Sequence, residues 1–127
     1  MKPDASAPVG LLLCNDLLFS SRITGVARDL GLAIRIARTP EQLAELARTQ
    51  PPACVVIDLA HPGLDIATLV QQLRPQGTAP WLVSYGSHVD AQTLHQARAA
   101  GCDVVLPRSK FVEDLPAALP RWFAGHG

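Results

Sequence analysis

The feature that most constrains the fold is a short run in the middle of the chain that is apolar at every position. Residues 53–57 read Ala-Cys-Val-Val-Ile, and the polar Asp58 follows directly. β-Branched residues favour extended structure, and a strand without a polar side has no face that can lie against water. Such a strand is typical of a parallel sheet that is covered by helices on both faces. The run therefore predicts a central strand with Asp58 at its carboxyl end.

Further apolar runs alternate with segments of helical periodicity along the chain. Residues 23–30 and 66–73 each place apolar side chains at i, i+3, i+4 and i+7, which marks one face of a helix. Parallel neighbours must be joined by crossovers that cover a face of the sheet. The pattern predicts an α/β domain with a doubly wound parallel sheet of five strands, over residues 10–14, 32–37, 53–57, 81–83 and 103–106.

Several helix ends carry recognisable signals. Thr39 is a good N-cap, with Pro40 at the first helical position and Gln42 in place to complete a capping box. Asp65 is placed to cap the next helix. The last helical segment contains Pro116 and Pro120, and an interior proline costs a helix about 3 kcal/mol. The final helix is therefore expected to be kinked, late-starting or in two pieces.

Length, charge and cysteine content narrow the class of protein. The 127 residues suit one domain, and 48% hydrophobic against 17% charged residues favour a compact core. Eleven basic residues balance eleven acidic ones without a basic cluster, so neither nucleic acid nor a membrane is an expected partner. No secretory signal is recognised, and three widely spaced cysteines predict buried thiols in a cytoplasmic protein. The expected division is a flexible tail at 1–8, a domain at 9–124 and a tail at 125–127.

Polar residues stand where three predicted strands end. These are Asn15 and Asp16 after the first strand, Asp58 after the third and Ser84 after the fourth. The carboxyl ends of parallel strands gather functional groups at one edge of the sheet, and carboxylate oxygens are ligands for Mg²⁺. Aspartate and serine at strand ends are also common helix caps and turn formers, so both interpretations stay open.

The segment from Val55 to Asp65 resembles the phosphoacceptor segment of response-regulator receiver domains. It runs from an apolar strand to an aspartate, three residues, Pro-Gly, an apolar residue and a second aspartate. Asn15 and Asp16 match the position of that family's acidic pair. Ser84 matches the position of the family's Thr or Ser, and residues 101–107 match the stretch that leads to its Lys-Pro. The resemblance covers about residues 9–124. It implies a flavodoxin-like sheet of strand order 2-1-3-4-5.

The resemblance also implies roles for individual residues. Asp58 would be the nucleophile that accepts a phosphoryl group. Asp16, Asp58 and the backbone carbonyl of Ala60 would bind Mg²⁺, with Asn15 as a further candidate ligand. The hydroxyl of Ser84 would move toward the phosphoryl group as the switch. The chain would not be an enzyme, apart from its own phosphorylation at Asp58.

Three positions depart from the family pattern. Leu106 stands where the family has a lysine, and an aliphatic side chain cannot pair with a phosphoryl group. Asn15 replaces one acid, and Asp103 stands where many receivers have an aromatic switch residue. Arg108 and Lys110 are candidates to replace the missing lysine.

Three hypotheses follow. The first is an atypical phosphoacceptor receiver, with a sensor kinase or a downstream effector as protein partner. The second is a pseudo-receiver that binds proteins independently of phosphorylation. Either could form a homodimer through the fourth helix, fifth strand and fifth helix. The third is a small-molecule binder, because Asp58, His61 and Gly63 are similar to a cobalamin-binding motif, although their spacing differs from it.

Overall fold

The computed structural model describes residues 7–75, 77 and 79–127. Strands and helices alternate through these residues, as the sequence predicts. The first half contains β1 (Val9–Leu13), α1 (Leu17–Asp29), β2 (Ala33–Ala37), α2 (Pro40–Thr49) and β3 (Cys54–Asp58). The second half contains α3 (Ile66–Leu73), β4 (Trp81–Gly86), α4 (Ala91–Ala100), β5 (Val104–Pro107) and α5 (Arg108–Phe123).

The five strands form one parallel sheet in the order β2-β1-β3-β4-β5, which confirms the predicted fold class. Residues 54–57 of the central strand β3 are fully covered, and the side chains alternate between two hydrophobic clusters. Val55 and Ile57 pack in the cluster with α2, α3 and α4. Cys54 and Val56 pack in the cluster with α1 and α5. Asp58 therefore ends a strand that is held on both faces.

Strand β4 is longer than predicted. The sequence predicts that the strand ends at Val83, whereas the structure extends it through Ser84 and Tyr85 to Gly86. Tyr85 pairs with Asp58 on one side and with Leu106 on the other, so the sheet itself holds these residues extended. Ser84 consequently lies within the strand instead of at its end.

Helix α5 also differs from the expectation. It starts directly after β5 and runs as one helix through Pro116 and Pro120, so it is neither late-starting nor in two pieces. Both prolines are exposed, which lets water reach the carbonyl groups that lose a helical partner. The opposite face buries large side chains, including Phe111 and Trp122. This burial offsets the cost of the prolines.

The predicted N-caps of α2 and α3 are confirmed, but Gln42 does not complete the predicted capping box, because its side chain accepts from the amide of Arg38 at 2.9 Å instead of from that of Thr39. Thr39 accepts a hydrogen bond from the amide of Gln42 at 3.0 Å, and Asp65 caps α3 through the amide of Thr68 at 3.1 Å. The three cysteines are free and buried, as predicted. Within the described ranges, no helix is long and apolar enough to cross a membrane. Residues 1–6 of the predicted N-terminal tail lie outside the described residues, and the proposed domain limits stay a prediction.

Candidate functional site

The Asp58 carboxylate lies at the carboxyl end of β3 and is partly buried. Its Oδ1 accepts a hydrogen bond from the amide of Ala60 at 2.9 Å. Its Oδ2 has a weaker contact, from the thiol of Cys14 at 3.8 Å. The hydrogen bond from Ala60 fixes the orientation of the carboxylate. Because the contact with Cys14 is weak, Oδ2 is the more available oxygen for chemistry.

Two uncharged side chains, those of Cys14 and Tyr85, lie next to the Asp58 carboxylate. Burial raises the pKa of the Cys14 thiol, and burial also raises the pKa of the Tyr85 phenol far above its ordinary value. The Tyr85 hydroxyl donates to Cys14 Sγ at 3.6 Å. Both groups are therefore uncharged near neutral pH and add no negative charge beside Asp58.

Asp16 is the N-cap of α1 and is also half of an ion pair. Its Oδ1 accepts from the amide of Phe19 at 3.0 Å, and its Oδ2 lies 3.3 Å from a guanidinium nitrogen of Arg108. The amide bond from Phe19 is the main cause that lowers the pKa of Asp16, and the bond and charge of Arg108 lower it further. Asp16 is thus ionised, and both of its oxygens have partners.

Arg108, the first residue of α5, reaches back across the edge of the sheet. Its guanidinium carbon lies 4.0 Å from the centre of the Phe19 ring, a cation–π geometry. It lines the same pocket as Asp58. Lys110, the other candidate, pairs with Asp114 at 3.1 Å on α5 and does not line that pocket. Of the two candidates, Arg108 is the one that the fold places at the site.

The pocket has a volume of about 710 Å³ and opens beside Asp58. Its polar lining consists mainly of guanidinium, hydroxyl and imidazole groups. These belong to α1, to the loop after β4 and to the start of α5: Arg22, Ser87, His88, Arg108 and Ser109. Asp58 is the single carboxylate in the lining. Such a lining favours an anionic ligand.

Ala60 lines the pocket beside Asp58, whereas Ser84 and Asn15 lie outside the lining. The Ser84 hydroxyl is fully buried and donates to the carbonyl of Val104 at 3.5 Å. The side-chain nitrogen Nδ2 of Asn15 lies 3.3 Å from Nε2 of His61. Leu106 packs against the cluster that contains Tyr85. The structure thus brings Asp58, Asp16 and Arg108 together, while Ser84 faces the β4–β5 side.

The predicted Mg²⁺ ligands fit a divalent cation poorly in this arrangement. Asp16 is committed to its cap and to Arg108, and a cation at Oδ2 would lie next to a guanidinium group. In the part of the chain that the structure describes, no three His, Cys, Asp or Glu side chains are grouped to hold a metal. The predicted Mg²⁺ site stays a prediction that requires Arg108 to move.

Sequence reasoning missed the contributions of Phe19 and Arg22. Both lie on α1 three residues apart, so they share one face of the helix and reach the pocket together. Their spacing is visible in the sequence. Their relation to Arg108 depends on how α1 and α5 pack side by side on the sheet, which no local pattern specifies.

Several solved structures that resemble this fold are receiver domains. A receiver domain protein from Methanospirillum hungatei is 13% identical with a TM-score of 0.80, covering 94% of this chain and 95% of that one. The chemotaxis response regulator CheY4 of Vibrio cholerae is 14% identical with a TM-score of 0.78, covering 92% and 99%. A signal receiver domain from Bermanella marisrubri is 23% identical with a TM-score of 0.78, covering 92% and 98%.

These similarities identify the fold as that of response-regulator receiver domains. No protein-family model matches the sequence, and no curated protein matches it. The identities are low, so the likeness concerns the fold, and the function has to be argued from the site.

Proposed function

We propose that this chain is a receiver domain of phosphorelay signalling in which Asp58 accepts a phosphoryl group. The observation that carries the proposal is the position of Asp58. Its carboxylate ends the central strand and opens on a pocket that also contains Arg108. A nucleophilic carboxylate next to a guanidinium group suits phosphoryl transfer, because the cation offsets the repulsion between two anions.

Asp58 Oδ2 would attack the phosphorus of a phosphohistidine on a sensor kinase, or of a small phosphodonor. The new O–P bond forms an acyl phosphate while the P–N bond of the donor breaks. The electron pair leaves with the imidazole nitrogen, which is then protonated. The amide of Ala60 holds Oδ1, and Arg108 is placed to bind a phosphoryl oxygen. The chain catalyses nothing beyond its own modification in this proposal.

The signal would pass to a downstream effector or to a second copy of the chain through α4, β5 and α5. For Ser84 to act as the switch, its hydroxyl has to leave the carbonyl of Val104 and turn toward the phosphoryl group. The predicted Mg²⁺ site of Asp16, Asp58 and the carbonyl of Ala60, with Asn15 as a further candidate ligand, would form only if Arg108 left Asp16, so no step of this proposal depends on it. The cytoplasmic location also stays a prediction.

Acetyl phosphate tests the proposal directly. Incubation followed by intact-mass measurement should show addition of one phosphoryl group to the native chain and none to Asp58→Asn. Asp65→Asn is the matched control, because Asp65 is an exposed helix cap and asparagine also caps well. An adduct that persists in Asp58→Asn, or no adduct with acetyl phosphate or phosphoramidate, would refute the phosphoacceptor role.

A pseudo-receiver that binds proteins without phosphorylation is the second candidate. It is favoured by the contacts of Asp103, which stands where many receivers have a mobile aromatic residue. Asp103 forms an ion pair with Arg74 and accepts a hydrogen bond from the amide of Leu82 at 2.8 Å. A side chain held in this way cannot swing as an aromatic switch does. Partner binding that is equal for the native chain and Asp58→Asn, with or without donor, would favour this candidate.

A further inference from the structure

The lining of the pocket beside Asp58 contains more cationic than anionic side chains. Two guanidinium groups, from Arg22 on α1 and Arg108 on α5, line it together with a single carboxylate. The hydroxyl groups of Ser87 and Ser109 add two potential donors. Asp16 offsets part of the charge of Arg108 from outside the lining. The guanidinium and hydroxyl groups together offer several N–H and O–H donors, which suit an anion with several oxygens.

Arg108 is held in place before any ligand arrives. Its guanidinium carbon lies over the Phe19 ring, 4.0 Å from the ring centre, and one of its nitrogens is paired with Asp16. A planar guanidinium has five N–H donors, and one contact to Asp16 leaves others for a second acceptor. Arg108 can therefore bind an anion in the pocket while it keeps its pairing with Asp16.

Arg22 supplies the second cation from the same helix face as Phe19. No carboxylate lies within ion-pair distance of Arg22 among residues 7–75, 77 and 79–127. The first turn of α5 adds a weaker attraction, because it has neither a side-chain cap nor an acidic residue. Cations from two separate helices thus face one cavity.

The same geometry explains why the predicted Mg²⁺ ligands fit poorly. Arg108 pairs with Oδ2 of Asp16, the oxygen that the helix cap leaves free, so the positive charge beside Asp16 comes from the protein itself. We propose that this pocket binds a phosphate-type anion through Arg22 and Arg108 without a divalent cation. The extension to the phosphoryl group of phosphorylated Asp58 rests on the function proposed above.

Binding of inorganic phosphate tests this inference. The ¹⁵N-labelled chain would be titrated with phosphate in EDTA at constant ionic strength, with amide chemical shifts as the readout. Saturable shifts are expected around residues 86–88, 108–109 and α1. Arg22→Gln and Arg108→Gln should each weaken binding about tenfold, as expected for loss of one charged hydrogen bond. Lys110→Gln, an exposed cation of α5 outside the pocket, should leave the affinity unchanged.

Asp58→Asn gives an independent arm, because it cannot form the acyl phosphate. It should bind phosphate severalfold more tightly, since it removes the negative charge nearest to the anion. Weaker binding by Asp58→Asn, a requirement for Mg²⁺, equal losses in Lys110→Gln and Arg22→Gln, or shifts that do not saturate would each overturn the inference.

Labelling with acetyl phosphate separates this inference from the proposed function. Labelling at similar rates in EDTA and in Mg²⁺ supports both. Labelling that occurs only with Mg²⁺ keeps the proposed function and contradicts the metal-independent pocket. Phosphate binding in EDTA without any labelling keeps the pocket and contradicts the phosphoacceptor role.

Discussion

Arg108 changes what the loss of the usual lysine means for this site. Leu106, at the lysine position, packs into the hydrophobic cluster and pairs in register with Tyr85. Two residues later the chain turns from β5 into α5, and this turn brings Arg108 back over the pocket. The positive charge is thus supplied from the start of a helix instead of from the strand.

The charge of Arg108 should control how fast Asp58 is phosphorylated. Arg108→Gln removes the cation beside the developing phosphoryl charge and should slow labelling by acetyl phosphate about tenfold, which corresponds to about 1.4 kcal/mol of the barrier. Arg108→Lys should give an intermediate rate, because an ammonium group keeps the charge but not the planar contact with Phe19. Rates follow from intact mass against time. A native rate in Arg108→Gln would remove Arg108 from the proposed chemistry.

At the level of helices and strands, local sequence signals predicted well where helices begin. They predicted poorly the features that depend on contacts with distant parts of the chain. The caps of α2 and α3 depend on side chains within three residues, so the sequence contains the whole interaction. The true end of β4 depends on partners far along the chain, since Tyr85 is kept extended by Asp58 and Leu106. The continuity of α5 depends on burial against the sheet, which outweighs the cost of Pro116 and Pro120. The position of Asp58 was predictable because its own strand defines it.

Aspartate caps should make the fold sensitive to acid. Hydrogen bonds from Thr68 and Thr93 lower the pKa of Asp65 and Asp90, which cap α3 and α4. A carboxyl with a pKa lowered by folding stabilises the native state above its unfolded pKa of about 4, and this contribution disappears as the pH falls through the folded pKa.

The free energy of unfolding should therefore be nearly constant from about pH 7 to 5 and fall below about pH 4 as these caps are protonated. The double variant Asp65→Asn/Asp90→Asn keeps cap acceptors that do not titrate. Its free energy of unfolding should therefore fall less steeply with decreasing pH than that of the native chain. Urea unfolding at a series of pH values measures this. Identical acid slopes in the two proteins would contradict the account.

Pro116 should destabilise α5 even though the helix is continuous. Pro116→Ala restores an amide donor and removes the clash with the preceding turn, so it should raise the free energy of unfolding by about 1 to 3 kcal/mol. Pro40→Ala is the control, because Pro40 lies in the first turn of α2, where an amide has no helical acceptor. The midpoints of urea unfolding measure the stability of the two variants and of the native chain. A Pro116→Ala protein less stable than the native chain would contradict this view of α5.

At the scale of the whole molecule, one ion pair joins three elements near the amino ends of β4 and β5. Arg74, just after α3, pairs with Asp103, and it also donates to the carbonyls of Pro80 at 3.0 Å and Gly101 at 2.8 Å. Asp103 in turn accepts from the amide of Leu82. The pair therefore links α3, β4 and the turn after α4.

Removing one partner of this pair should be costly. Arg74→Met leaves the Asp103 carboxylate, whose side chain is 19% exposed, without its cation and should lower the free energy of unfolding by about 2 kcal/mol. The double variant Arg74→Met/Asp103→Asn removes the unpaired charge and keeps an acceptor for Leu82, so it should be more stable than Arg74→Met alone. Arg98→Met on exposed α4 is the control. A single Arg74→Met variant no less stable than Arg98→Met would show that the pair is dispensable.

The central claim is that Asp58, and no other carboxylate, becomes an acyl phosphate. Borohydride reduces an aspartyl phosphate to homoserine with release of phosphate, which leaves a permanent mark at the modified residue. The chain would be treated with acetyl phosphate, reduced, digested and mapped by tandem mass spectrometry. The account predicts homoserine at position 58 and at no other aspartate. Homoserine at Asp16 or Asp65, or unmodified Asp58 in a sample whose intact mass had increased, would contradict it.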